Sequence, residues 1–311
     1  MEGTPDLAFY RDVIDHSQDG QGYYDAAESA MGGFSTQNYS LFNWRLPTYA
    51  LLFRHVPVAW FVLLLVVALV SVVVAVRTLV MPLTGSTGQL TATLLLLGGT
   101  FGWVVYENDA FLATEPWCEV LLLLSLCAYA HGRWQWGMLA AVAGLSLREL
   151  MLPYCAVAFL FAVWKRRRTE WLLWLVVFFS FFAGLYLHGQ EIARRHPEIE
   201  GTGIGHWLRW PGLRYVLLSS SMNLVIRPLP TEVWALVLPL ALLGLGGWPG
   251  EIGLRLFASA IAYMLAFSIM EARSYWGHLY APLLALGLVR APAALRDLLR
   301  PAAKVGYIAR S

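Results

Sequence analysis

The sequence predicts an all-α, polytopic membrane helix bundle of about nine spans, some of them short, with an extracytoplasmic catalytic loop and an interfacial helix. Three observations predict it. Apolar runs recur at 57–76, 91–106, 116–130, 137–147, 151–164, 171–187, 233–247, 256–270 and 276–289. Only 14% of the 311 residues are charged and 58% are hydrophobic, whereas soluble domains are roughly a quarter charged. Basic residues collect in one set of alternating connections and acidic residues in the other. The net charge of +2 is too small to point to nucleic acid.

In chain order, residues 1–56 form a polar head, 57–290 a transmembrane bundle with an outer loop at 188–231, and 291–311 a basic cytoplasmic tail. A helix needs roughly 20 residues to cross about 30 Å of hydrocarbon. Only 57–76 meets that comfortably, so the other spans must tilt, borrow polar neighbours or sit where the bilayer is thin. The stretch 134–164 has Arg148 and Glu149 at its middle and basic residues on both flanks. A single span would put those flanks on opposite sides, so two short helices returning the chain to the cytoplasm are expected. The turn between them would then lie in a water-filled recess below the outer surface.

With that hairpin, Arg77, Arg133, Lys165, Arg166, Arg167, Arg168, Arg255 and the tail all face inward. The head, the acidic 107–115 turn, Arg148-Glu149, the 188–231 loop and 271–275 face outward. Residues 213–226, apolar between Arg214 and Arg227, predict an interfacial helix; a tenth, short span is the alternative. The first ten residues lack the basic start and apolar core of a signal peptide. Export of the head then calls for a reverse anchor or, as favoured here, an apolar helix upstream of residue 1.

The residues that could carry chemistry cluster on the outer side. In Asp19-Gly20-Gln21-Gly22-Tyr23-Tyr24-Asp25, glycines free the backbone before a helix expected over 24–31, which would set Asp25 and Glu28 on one face. A carboxylate there can be a general base or a cation ligand; a solvated helix start rich in acids is the plainer reading. Glu107, Asp109 and Glu115 crowd the second outer turn, where a solvated turn with Thr114 capping the next helix is the alternative. Arg148 and Glu149 sit among apolar residues, so they line a functional cavity or form an internal ion pair. Arg45 and Arg273 are placed to bind a phosphate at headgroup depth or simply to snorkel. Cys118, Cys127 and Cys155 fall in apolar runs and read as packing residues. His16, His188, His206 and His278 are expected to point outward, none at metal-ligand spacing with another, and no intramembrane histidine–acid pair is evident. There is no GxSxG, phosphate-binding loop or dinucleotide fingerprint.

Together these features resemble the GT-C superfamily of membrane glycosyltransferases, in particular bacterial members of the mannosyl- and arabinosyltransferase type. The residues that carry the resemblance are Asp19 ahead of Tyr23-Tyr24, the entry Trp44-Arg45-Leu46-Pro47-Thr48-Tyr49, the turn from Asp109 to Glu115, the short helices around Arg148-Glu149, and Arg273-Ser274-Tyr275. The family's first transmembrane helix has no counterpart. The resemblance implies an inverting transfer of a sugar from a polyprenyl-phosphate donor to an acceptor hydroxyl, on the outer face of a bacterial plasma membrane. Asp19 would be the general base, with Asp25 as fallback. Arg273, Arg148 or Arg45 would neutralise the leaving phosphate. Tyr23, Tyr24, Glu107, Asp109, Glu115, Glu149 and Tyr275 would bind substrate. A divalent cation, Mg or Mn, stays open, because some relatives use one and others do not. Two other classes also stay open: a transporter or flippase, and a catalytically degenerate scaffold.

Overall fold

The structure, a computed structural model, describes residues 5–31, 43–53, 57–107, 109–196, 210, 212–270 and 274–299. It is 85% helical, without a strand among the described residues. Three helical stretches, Ala59–Leu83, Arg168–Arg195 and Gly250–Ile269, are long and apolar enough to cross a membrane. Glu149–Trp164 and Glu232–Gly246 are apolar but shorter.

The head is a helical hairpin rather than the open loop the sequence suggests. Helix α1 (Pro5–Gln18) was not expected. It forms because Leu7, Tyr10, Val13, Ile14 and Ser17 recur every three or four residues and are buried as one stripe. Gly20, at φ +95°, turns the chain in the left-handed region that a side chain disfavours. Helix α2 (Tyr23–Met31) returns, one residue longer than expected, with Ala26, Ala27, Ala30 and Met31 buried. Small side chains there let the two helices approach closely. A further short helix, α3 (Pro47–Phe53), intervenes before the bundle, so Arg45 does not enter the first span directly.

The bundle comprises α4 (Pro57–Ala75), α5 (Thr87–Thr100), α6 (Gly102–Tyr106), α7 (Thr114–Ala130), α8 (Trp134–Leu147), α9 (Leu152–Trp164), α10 (Arg168–Arg195), α11 (Gly212–Ser220), α12 (Thr231–Gly246), α13 (Gly250–Ile269) and α14 (Ala281–Leu299). Its contacts sort into two ends. At one end Trp60 packs on Trp117, Tyr24 meets His188 and Arg148 lies over Trp276. At the other, Thr78 bonds His131 at 2.9 Å, and Lys165 and Arg167 reach Glu251 at 3.4 and 3.3 Å. Arg255 is buried there with its guanidinium 3.9 Å from the Tyr129 ring centre and 4.5 Å from that of Phe161. Stacking of a desolvated cation on such rings contributes about 2 kcal/mol. The head hairpin sits at the first end, where Arg11, Arg148 and Arg195 are paired with acids; Arg77, Arg133, Lys165 to Arg168, Arg290 and Arg296 gather at the second.

The expected hairpin across 134–164 is present as α8 and α9. Arg148 leaves the helix in an extended conformation (φ −151°, ψ 125°), and Pro153 opens the next helix in its first turn. The sequence also predicts one helix over 213–226, but α11 stops at Ser220. The Asn223 amide donates to the Leu96 carbonyl at 2.8 Å, and its oxygen accepts from the Val225 N–H at 2.9 Å. Those bonds hold 221–229 as turns against α5. The basic tail expected from 291 continues α14 as far as Leu299.

Helices α12 and α14 pack backbone to backbone through Gly244 and Gly287: a methyl group on Gly244 would overlap the Gly287 carbonyl. Gly246, two residues on, would meet nothing nearer than Phe257 at 4.0 Å. Gly244→Ala is therefore expected to lower unfolding stability in detergent by about 1–3 kcal/mol. Gly246→Ala should leave it unchanged. Equal melting curves for the two variants would contradict this packing.

Candidate functional site

Where the head meets the bundle, six segments distant in sequence bring polar side chains into one buried cluster. Arg148, on the α8–α9 turn, is fully buried. Its Nη2 lies 3.2 Å from Oε1 of the equally buried Glu115, and its Nε 3.5 Å from Oε1 of Glu149. Its Nη1 donates to the Tyr10 hydroxyl of α1 at 3.5 Å. That hydroxyl is 3.4 Å from the Thr114 hydroxyl, which donates to Oε2 of Glu115 at 3.4 Å. Thr114 does not cap α7, as the sequence suggests; Ala113 holds the cap position, and the Thr114 hydroxyl serves this network instead.

Aromatic rings and a second arginine roof the cluster. Tyr10 meets Tyr49 edge to face at 4.9 Å, and the Arg45 guanidinium lies 5.6 Å from the Tyr10 ring centre. Arg45 is buried at φ +59°, and the Tyr23 hydroxyl donates to its carbonyl at 3.0 Å and to that of Trp44. Burial pushes the Tyr10 and Tyr23 phenols up from their ordinary values, Tyr23 strongly, so both stay protonated as donors. The Tyr24 hydroxyl contacts Nδ1 of His188 at 2.9 Å.

This corrects the expected recess. The Arg148-Glu149 turn is enclosed by protein side chains, and Glu115 lies on the floor of the joint rather than at an open boundary. His188 and His278, expected on the outer side of the membrane, are buried within the protein.

The remaining predicted residues separate. Asp19 is exposed on the turn between α1 and α2, and its carboxylate has no partner among the described residues. Asp25 and Glu28 share one face of α2, as their spacing requires, and both hold Arg195 at the end of α10, at 2.7 and 3.1 Å. Arg195 also lies 5.4 Å from the Tyr24 ring centre. Asp109, at φ +64°, pairs with Arg11 of α1. Glu107 stands half-buried beside it and makes no ion pair with a described residue. Tyr275 stacks on Trp103 at 5.9 Å, apart from the Arg148 cluster. Arg273 and His206 lie outside the described residues.

Sequence reasoning missed Tyr10, Arg195 and one further pair, Glu119 with His278, whose Nδ1 and Oε2 are 3.9 Å apart. The only signal for Glu119 was an acid four residues past Glu115 inside an apolar run. The three cysteines are buried and free, as expected.

Surface cavities lie at both ends of the bundle. One of about 740 Å³ lies at the basic end, lined by Arg290, Arg296, Thr84, Ser86, Gln89 and Trp248 among others. One of about 320 Å³ opens at the head end between Tyr106, Leu224, Arg227 and Pro228. Among the described residues, no three His, Cys, Asp or Glu side chains converge as a metal site. No protein-family model, curated protein or solved structure matches this chain.

Removing one partner of a buried ion pair strands the other charge in a low-dielectric site, which costs about 3–5 kcal/mol. Arg148→Met is expected to destabilise the chain by that amount in detergent unfolding. Adding Glu115→Gln should recover part of the loss. A double variant that is less stable than Arg148→Met would contradict the coupling.

Proposed function

We propose that this chain is a membrane glycosyltransferase of the GT-C type, moving a sugar from a polyprenyl-phosphate donor to an acceptor hydroxyl with inversion. In this reading the nine apolar segments span a bacterial plasma membrane. The head end is extracytoplasmic, because the basic residues of the short connections, Arg77, Arg133 and Lys165 to Arg168, lie at the opposite end of the bundle. Asp19 takes the proton from the acceptor oxygen as that oxygen attacks the anomeric carbon.

The observation that carries the reading is the division of labour among the head carboxylates. Asp25 and Glu28 are occupied by Arg195, and Asp109 by Arg11, while Asp19 is exposed and unpaired on a turn at the bundle's head end. The Arg148 cluster then fixes the head in place rather than touching the phosphate, which leaves Arg273 as the proposed cation for the leaving group. Internal pairing of Asp25, Glu28 and Asp109 also suits a non-catalytic scaffold, and that is the second reading.

Membranes expressing the chain are expected to transfer radiolabelled sugar from at least one member of a panel of polyprenyl-phosphate sugars. Asp19→Asn should reduce transfer by about 10²–10⁴ at unchanged protein level. Asp25→Asn should act on stability more than on turnover. Equal transfer by wild type and Asp19→Asn would remove Asp19 from the mechanism, and no transfer from any donor would favour the scaffold.

A further inference from the structure

Glu119 is fully buried in α7, one helical turn from Glu115 toward the basic end, yet it does not join the Arg148 cluster. Neither carboxyl oxygen has a hydrogen-bond partner among the described residues. An ionised carboxylate left in that state would bear a desolvation cost of several kcal/mol. The donors beside it are already engaged elsewhere. The Thr100 hydroxyl lies beside it, and its single hydrogen is shared with the Leu97 carbonyl at 2.7 Å. His278 approaches with Nδ1 at 3.9 Å, beyond hydrogen-bond reach, because the same nitrogen donates to the Thr100 carbonyl at 3.2 Å. Two shared donors with no cation in contact favour the neutral acid.

The backbone is arranged around this point. Helix α5 stops at Thr100 and resumes as α6 at Gly102, through Phe101 at φ −87°, ψ 0°. The Val104 N–H bonds the Phe101 carbonyl, so the Thr100 carbonyl is open to His278. The Leu224 N–H fills the break from outside by bonding the Gly99 carbonyl at 2.8 Å. Gly99 and Gly102 make room for Asn223 and Leu224, since a methyl group on either would collide with them. His278 is clamped flat on Trp103, at 5.0 Å and 14° between planes. The 320 Å³ cavity, lined by Leu224, Arg227, Tyr106 and Pro228, opens to the head-end surface next to this break. A buried acid at an interrupted helix beside a surface opening is the arrangement in which intramembrane proton sites are found.

We propose that Glu119 and His278 form a proton-binding site inside the bundle, with Glu119 holding the proton in the structure described and the Leu224–Arg227 cavity giving it access to the head-end surface. On release, the proton passes from the Glu119 carboxyl to solvent on the side of that cavity, and the His278 Nδ1–H, 3.9 Å away, faces the carboxylate that remains. Few other titratable groups face the site. Helices α4 and α8 carry none, and Glu115 is paired with Arg148. Glu251 and Arg255 of α13 are engaged with each other at the basic end, and Tyr263 donates to Sδ of Met151 at 3.6 Å. From 221–229 the charged residue is Arg227, which acts on His278 and donates to Tyr106. The site is separate from Asp19 and stands whether or not the chain transfers sugar.

The test is an infrared pH titration of the full chain in lipid nanodiscs, reading the carbonyl stretch of an un-ionised carboxylic acid. Wild type is expected to show that band, shifted in deuterated buffer, and to lose it as pH rises. Glu119→Gln, uncharged and of the same size, should fold with an unchanged melting temperature and lack the band. Glu119→Asp, the second variant should Gln fail to fold, should keep a displaced band. His278→Asn should move the loss of the band to higher pH, because the imidazole Nδ1–H, 3.9 Å away, no longer faces the carboxylate. Absence of the band from wild type at about pH 6 and above, where exposed carboxyls are ionised, or its persistence there in Glu119→Gln, overturns the proposal. An unchanged midpoint in His278→Asn overturns the pairing.

Discussion

A guanidinium without water must be answered by negative charge from the protein around it, and Arg148 sets that condition for the whole head end. Dehydrating such an ion costs several kcal/mol even after relaxation. Its two acids come from different places: Glu149 is its sequence neighbour, while Glu115 starts α7. Meeting both pins the α8–α9 turn against the start of α7, which is why the chain reverses there instead of continuing as one helix. Tyr10, the remaining polar contact, reaches in from α1, so the same requirement seats the head on the bundle.

Two peripheral attachments fix the head's orientation over that joint. Arg195 at the end of α10 is held by Asp25 and Glu28, and Arg11 by Asp109 in the turn before α7. Both pairs are partly exposed, so each contributes modestly, in the range of surface ion pairs. Their effect is directional: they tie α1 to one edge of the bundle and α2 to another. Asp19, on the turn between the two helices, is thereby carried on a fixed support while its own carboxylate stays uncommitted.

Close approach of backbones is the second organising device. Gly244 and Gly287 join α12 to α14, Gly277 lies against the Ser219 carbonyl, and Gly99 and Gly102 admit the 223–224 backbone into the break in α5. In lipid, where apolar surface is not squeezed together by water, such contacts let dispersion and carbonyl bonding hold helices together. The α5 break shows the local consequence. Carbonyls released by the interrupted helix are taken by Leu224 and His278, and Glu119 is enclosed beside them.

The sequence by itself determined the helical class, the membrane-grade composition, the α8–α9 reversal and the one-face pairing of Asp25 with Glu28. These follow from local periodicity, charge scarcity and helical spacing, which are properties of neighbouring residues. It also drew attention to Arg148, Glu149, Glu115, Tyr23 and Arg45, since charges and phenols among apolar residues must be compensated somewhere. It could not say by what. Tyr10, Arg195 and His278 meet their partners across 138, 170 and 159 residues of chain. No repeat or spacing encodes a contact between elements that only packing brings together. Helix α1 carries little sequence signal because its apolar stripe is short and diluted by charge, and the bundle surface that buries that stripe stabilises it. Only the tertiary structure decided which carboxylates were taken up by arginines and which were left, because that depends on where the elements meet in space.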